Sequence, residues 1–421
     1  MFNSLKGMED ILPADAPRWL RTEEKLRNIL LSYGYAEIRT PLLEETDLFA
    51  RSIGASTDVI EKEMFSFKDQ GGASMSLRPE GTASVVRAYV QHHLDHGQDL
   101  QKVYYLGPMF RHERPQKGRL RQFHQLGIEA IGSAHPLIDV EVMAVLVSIL
   151  EAFEVPDVDL QINSVGDPTC RPAYRKNLQS FLKKHTKELC ENCRRRVESN
   201  PFRVLDCKNP ECQPVIQDAP KMVDELCEAC GDHFVAVQRG LEELGLGATV
   251  NPRIVRGLDY YTRTSFEVTA GGLGAQNAIG AGGRYDGLTA ELGGADTPAI
   301  GFAMGIERLL IASPAITVER VPRIDFLPLE SAAEEEAFRR ATETRKIFLH
   351  KNVSAIVDVG LGIQSLKSAL RKADKNGTRW AVLIGGNELK NKAALVKDLV
   401  NHQQEEVKFS DLAKHLLQHF K

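Results

Sequence analysis

No stretch of this chain approaches the roughly 18 consecutive apolar residues of a membrane-spanning helix, so no membrane partner is expected. Residues Met1 to Pro13 lack a basic stretch followed by an apolar core, so no secretion signal is expected either. Net charge is also scarce. A formal value of -4 over 421 residues gives no global sign of nucleic-acid binding, and any RNA contact must come from local basic patches. There is no internal repeat and no low-complexity tail. The expected compartment is cytoplasmic. Seven cysteines should there be reduced, metal-bound or catalytic rather than disulfide-linked.

What is present is an ordinary globular composition in a chain too long for one typical core, so two or three domains are expected. Asp15-Ala16-Pro17 opens a helix carrying Leu20, Leu26, Ile29 and Leu30, and a strand over 35–40 meets Pro41. Strand pairs are predicted over 64–68 with 74–78 and over 103–113 with 121–131, with helices over 81–94 and 137–153. A strand over 159–163 breaks at Ser164-Val165-Gly166-Asp167-Pro168. Residues 169–243 are rich in helix formers, charge and cysteine. They read as a mainly helical insertion into a sheet that resumes near Thr249. A linker around 313–323 closes a first domain over 1–322. Short apolar runs then alternate with helical stretches, which predicts a small α/β domain with a mainly parallel sheet over 323–421.

Three separated motifs concentrate charge. Phe110-Arg111-His112-Glu113 places a cation and a carboxylate two apart, on one face of a strand. Arg256-Gly257-Leu258-Asp259-Tyr260-Tyr261 puts an arginine, a turn-forming glycine, a carboxylate and two phenols in six residues. Gly305-Ile306-Glu307-Arg308 opens a helix. Each alone reads as a solvated pair, a turn or a helix start. In this order, over nearly the whole chain, they resemble the active-site motifs of the histidyl-tRNA synthetases, a class II aminoacyl-tRNA synthetase family.

The resemblance implies an α+β class II synthetase catalytic domain, an antiparallel sheet with flanking helices. It also implies a C-terminal α/β anticodon-binding domain. The helix and strand before Pro41 resemble the motif that forms a homodimer interface. The implied activity is a ligase that activates histidine with ATP to histidyl adenylate and pyrophosphate, then transfers histidine to the 3′ end of histidine tRNA. Carboxylate and α-phosphate are both anions, so the chemistry needs fixed cations. By resemblance these are Arg111, Arg256 and Arg308. Glu113 and Phe123 join Arg111 and Arg308 around ATP, which brings Mg2+ on its outer phosphates, and Glu307 is a further candidate near that ion. Glu80, Gly81, Thr82, Gln125, Glu129, Tyr260 and Tyr261 join Arg111 and Arg256 around histidine. Gln125 and Glu129 lie four apart, so one strand gives them one face. The run from Gly280 to Asp286 matches a family signature and puts Tyr285 near the imidazole.

Arg114 and Gln116, in the charged loop from Arg111 to Arg121, are implied readers of the tRNA acceptor end. A second basic run covers Arg171 to Arg196. In the C-terminal domain Ser365-Leu366-Lys367 and Lys372-Ala373-Asp374 are the best matches to the anticodon-binding pattern. Cys190-x-x-Cys193 and Cys227-x-x-Cys230 are paired motifs suited to a structural Zn2+, with Cys207 and Cys212 between them as further candidates and free buried thiols as the alternative. The rival reading of the chain is a catalytically inactive, histidine-binding regulatory subunit of ATP phosphoribosyltransferase. It shares the fold but lacks the anticodon domain and typically loses the catalytic arginines.

Overall fold

The computed structural model describes residues 2–54, 57, 59–96, 98–254, 260–274, 277–314, 316, 321–362 and 365–420. It divides into two compact units, Met1–Thr317 and Val318–Lys421.

Helix α1 (Ala16–Ser32) leads to a two-residue strand β1 (Ala36–Glu37), then β2 (Leu43–Glu45) and α2 (Thr46–Ile53). The predicted strand over 35–40 stops early because the Arg78 guanidinium takes the Thr40 carbonyl (3.1 Å) and hydroxyl (2.9 Å), and Pro41 offers no N–H. Strands β3 (Phe65–Lys68) and β4 (Ser74–Leu77) follow, and with β2 they form a three-stranded sheet. Helix α3 (Thr82–Gln91) precedes the long hairpin of β5 (Gln101–Phe110) and β6 (Gln122–Ile131), then α4 (Pro136–Ala152) and β7 (Asp159–Ser164).

Between β7 and the next strand no described residue is in a strand. This segment carries α5 (Arg171–Lys184), α6 (Glu191–Ser199), α7 (Gln213–Gln217) and α8 (Glu228–Glu243). It buries a small core of its own around Tyr174, Leu178, Leu182 and Val204. The main sheet resumes with β8 (Ala248–Val250), β9 (Thr262–Thr269) and β10 (Ala278–Arg284), then α9 (Leu288–Glu291), β11 (Ala299–Gly305) and α10 (Ile306–Ala312).

The main sheet has the order β1-β5-β6-β11-β10-β9-β7-β8. Its middle is antiparallel, and its two edge pairs, β1 with β5 and β7 with β8, are parallel. Both parallel pairs join strands separated by long connections, as parallel pairing requires: the one from β1 to β5 holds the small sheet with α2 and α3, and the one from β7 to β8 is helical. Period-two alternation then assigns the faces. Leu126, Ile128 and Ala130 of β6 pack with Leu26 and Leu30 of α1 and with Val142, Met143, Leu146 and Ile149 of α4. The intervening residues Phe123, Gln125, Gly127 and Glu129 lie on the opposite face, the one carrying α3 and five tyrosines, Tyr89 of α3 among them.

The second unit contains β12 (Arg323–Pro328), α11 (Glu334–His350), β13 (Ile356–Val359), α12 (Leu366–Lys375), β14 (Trp380–Ile384), α13 (Gly386–Asn391), β15 (Ala393–Asp398), β16 (Gln403–Lys408) and α14 (Leu412–Gln418). The expected mainly parallel sheet is a mixed one, β13-β12-β14-β15-β16, with two parallel and two antiparallel pairs. The missed β16 is mostly exposed and polar, so no apolar run announces it. The short turn before it obliges β15 and β16 to run antiparallel.

One buried network ties the first unit together. Arg284 at the end of β10 grips Asp139 in α4, with Nε 3.1 Å from Oδ1 and 2.9 Å from Oδ2 and Nη2 2.7 Å from Oδ2, and donates to the Ser133 carbonyl (3.0 Å), while His233 of α8 reaches Asp139 Oδ1 at 3.0 Å. Arg284 and Asp139 are fully buried. Burial alone would raise the Asp139 carboxyl, but His233 and Arg284 hold it below its ordinary value. Removing one partner strands the other charge in a dry interior. Asp139→Asn or Arg284→Met is therefore expected to cost roughly 3–5 kcal/mol, read from urea unfolding, whereas an exposed pair such as Arg239–Glu243 should cost under about 1 kcal/mol.

Candidate active site

The site is built on the sheet face opposite α4. In the ladder Glu129 stands between Val103 of β5 and Gly301 of β11, and Gln125 stands between Gly107 and Gly305. Glu129 fits only because its neighbour has no side chain: a Cβ on Gly301 would meet Glu129 Oε2 at 1.9 Å. Gly81, just before α3, holds a similar position against Tyr105, whose ring a Cβ would strike at 2.3 Å.

Glu129 is 1% exposed. The Thr82 hydroxyl donates to its Oε1 (2.7 Å) and the Tyr285 hydroxyl to its Oε2 (2.5 Å). Burial pushes its carboxyl up to about 8 against those two hydrogen bonds, and the charge of Glu80 pushes the same way. Glu80 is also buried, and each of its oxygens accepts a backbone N–H at the start of α3, from Thr82 (2.7 Å) and Ala83 (2.9 Å). Burial raises its carboxyl too, opposed by those N–H groups and by the Arg111 charge. Tyr260 stacks near Tyr261 (centroids 4.7 Å) and edge-on to Tyr285 (5.7 Å), so both predicted tyrosines line this cluster. Gln125 is buried, and its Oε1 has no hydrogen-bond partner among the described residues. An unpartnered buried acceptor costs about 1–3 kcal/mol and calls for a donor.

The cations lie toward the β5–β6 loop. Arg111 Nε donates to the Pro79 carbonyl (2.8 Å), next to Glu80, and its guanidinium sits 5.4 Å from the Phe123 ring centroid. Glu113 pairs with Arg119 at 2.9 Å and lies 3.9 Å from Arg111. Arg308 Nη1 donates to the Gly118 carbonyl (3.3 Å), so α10 reaches the loop of the hairpin. Burial, then the nearby Arg119 charge, pull the Arg308 guanidinium below its ordinary value, against Glu113 and Glu267. Glu307 is bound to His124: its oxygens accept the backbone N–H at 2.9 and 3.0 Å and meet the ring Nδ1 at 2.8 Å. Arg114 and Gln116 are exposed on the loop. Arg256, together with Gly257, Leu258 and Asp259, lies outside the described residues.

The cysteines are arranged differently from the expected set. Cys190, Cys193, Cys227 and Cys230 do not meet as one group. Cys190 and Cys193 gather with Cys207 and Cys212, and Cys227 and Cys230 gather with Cys170 and Asp167. The two pairs open two different helices, α6 and α8, and the core of the insertion brings each to a different partner. Tyr105, the Thr82–Glu129 bond, the Glu307–His124 tie and the Gly301 approach were not anticipated. A glycine inside an otherwise apolar strand was the available signal for the last.

Comparisons with known proteins place the chain in a family. The model of the histidyl-tRNA synthetase family matches residues 7–309, and that of the anticodon binding domain matches residues 325–419. A histidine–tRNA ligase of Geobacter metallireducens is 46% identical over 97% of this chain and 97% of its own length. One from Geobacter sulfurreducens is 47% identical, again over 97% of each chain. The solved apo histidyl-tRNA synthetase of S. aureus is 34% identical, superposes with a TM-score of 0.81 and covers 99% of both chains.

The Glu129 carboxyl gives a pH prediction. Its folded value of about 8 exceeds its ordinary 4.5, so the folded chain keeps a proton that the unfolded chain releases. That contribution to stability is complete below the ordinary value and is lost as pH rises through about 8. The melting temperature of the ligand-free protein should therefore fall more steeply between these limits than that of Glu129→Gln. Parallel curves for the two proteins would contradict this assignment.

Proposed function

The chain belongs to the histidyl-tRNA synthetase family, and from that premise we infer how its residues carry out the ligase reaction. It is a histidine–tRNA ligase: histidine and ATP give histidyl adenylate and pyrophosphate, and the histidyl group passes to tRNA. The regulatory-subunit alternative gives way because relatives named as ligases match the whole chain, C-terminal unit included.

The observation that carries the residue-level reading is the buried Glu129 carboxyl, held by Thr82 and Tyr285 on a face shared with the unpartnered Gln125 oxygen. Glu129 and Gln125 lie on one face, roughly 13 Å apart along β6. Glu129 takes the imidazole N–H, and Gln125 takes the ammonium, with Thr82 and Glu80 shaping the wall between them. An imidazole N–H beside Glu129 favours its ionised form, so binding should release the proton that burial retains. A pocket built on such bonds rejects isosteres that lack them. Tyr260 and Tyr261 pack the rim.

Arg111, fixed by Pro79, bridges the substrate carboxylate and the α-phosphate. As the carboxylate oxygen attacks phosphorus and pyrophosphate leaves, its guanidinium stabilises the growing charge. Phe123 stacks on adenine and Glu113 accepts from its amino group. Arg308 meets the γ-phosphate, an anion that relieves its repulsion with Arg119. Mg2+ enters with the outer phosphates of ATP as part of the substrate. Glu307 is already bonded to His124, so its part near that ion is limited to lone pairs that histidine leaves open. Arg256 completes the α-phosphate contacts by resemblance. The domains we assign are a catalytic domain over 1–322 with its insertion over 169–243, and an anticodon-binding domain over 323–421. We assign a homodimer, supported by the apolar exposure of Leu20, Leu31, Leu43 and Phe67, and a cytoplasmic location. Among the described residues no helix is long and apolar enough to cross a membrane.

ATP–pyrophosphate exchange with each amino acid separately, without tRNA, tests the reading. Exchange with histidine only is expected. Arg111→Ala should lower kcat by roughly 10²–10³-fold with a smaller effect on histidine binding. Histidine binding without exchange would restore the regulatory alternative. For tRNA, Lys176, Lys184 and Lys187 are exposed cations on the insertion, whereas Arg175 is occupied by the Ser199 carbonyl (3.0 Å) and Arg194 by the Leu189 carbonyl (2.7 Å). Reversing Lys184 and Lys187 to glutamate should weaken tRNA binding and flatten its salt dependence while leaving adenylation intact. An unchanged salt slope would remove the insertion from the tRNA interface.

A further inference from the structure

We propose that the insertion is a metal module, with a four-thiolate zinc site formed by Cys190, Cys193, Cys207 and Cys212. Their four Sγ atoms lie within 4.8 Å of one another, and Cys190 and Cys207 are 3.9 Å apart. Zinc–sulfur bonds of about 2.3 Å in a tetrahedron put sulfurs roughly 3.8 Å apart, so the thiols already stand at the corners of such a site. A disulfide would need about 2.05 Å, and none of the seven cysteines is in one.

The surroundings suit bound thiolates. The Cys190 N–H donates to Cys212 Sγ (3.2 Å) and the Asn209 N–H to Cys207 Sγ (3.4 Å), the type of outer contact that stabilises sulfur charge at a metal. Cys193 and Cys212 are fully buried. Cys190 and Cys193 open α6, while Cys207 and Cys212 flank a single 3-10 turn, so one ion would join two elements. Those elements need joining. α6 has nine residues and α7 five, well below the roughly 12–15 that a helix needs to persist alone. Four thiolates in a closed shell with no open position make the site structural, and Zn2+ is the ion this donor set favours.

A separate donor set carries a second site. Asp167, Cys170, Cys227 and Cys230 also lie within 4.8 Å of one another. Cys170 and Cys230 are 3.9 Å apart, as are Cys227 Sγ and Asp167 Oδ1. Asp167 follows β7, Cys170 precedes α5, and Cys227 and Cys230 begin α8, so this ion would clamp the first root of the insertion to the start of its last helix. Its carboxylate makes it the harder site of the two.

Metal analysis of protein purified without a histidine tag tests both. Two zinc equivalents per chain are expected, falling to one in Cys207→Ser/Cys212→Ser and to one in Cys227→Ser/Cys230→Ser. Less than half an equivalent in the parent protein overturns both sites. A single equivalent that survives the first double substitution overturns the four-cysteine site, and one lost there overturns the mixed site. Should the variants fail to fold, the parent protein decides alone. Loaded with Co2+, it should show the intense thiolate charge-transfer and tetrahedral ligand-field bands of a four-sulfur site, and chelation should expose thiols to a disulfide reagent. A weak octahedral spectrum with all thiols reactive before chelation overturns the proposal.

Discussion

The Arg284–Asp139 pair sits where the sheet, the helix beneath it and the last helix of the insertion meet, and neither partner touches water. A carboxylate in that interior is tolerable only because two guanidinium nitrogens grip it and a histidine adds a further hydrogen bond. Its consequences run toward the site. Arg284 is the last residue of β10, and the next residue is Tyr285, whose hydroxyl holds Glu129. Asp286, which also binds Arg284, accepts the Ala299 N–H at the start of β11. Fixing one buried charge therefore fixes the register of the strands that frame the pocket.

The pocket keeps a second buried acid under tension. Glu129 is partnered by hydroxyls rather than by a cation, so burial dominates and the carboxyl retains its proton near neutrality. The missing charge is one that a ligand can bring. Glu80 is held differently: each of its oxygens accepts one of the first N–H groups of α3, with further lone pairs still open. In the proposed reading, Glu80 orders the start of α3 and Glu129 reads what enters. The division follows from which donors surround each, since the two residue types are the same.

Much of the architecture was legible because burial on one face imposes a period. The β5–β6 hairpin, α4 and the helical character of the insertion follow from apolar spacing and from the change of texture after Pro168. Errors arose where the signal is not periodic. The strand before Pro41 is cut short by a distant arginine, and the polar edge strand β16 joins its sheet through backbone bonds that need no apolar side chain. Cysteine pairing failed for a related reason. Two C-x-x-C motifs look like one site on paper, but each opens a separate helix, and contacts across 17 and 60 residues choose the other thiols.

The sequence carried the resemblance to the family in three separated motifs, the ligase reaction is what that resemblance implied, and its residue chemistry asked only for fixed cations beside two anions. It also determined that Gln125 and Glu129 share a face, since strand geometry allows nothing else. Only the tertiary structure settled that Glu129 meets Thr82 and Tyr285 from 47 and 156 residues away, that Gly301 makes room for it, and that seven cysteines and one aspartate form two groups. Those outcomes depend on packing between elements distant in the chain, and no local spacing encodes which buried donor will arrive beside which acceptor.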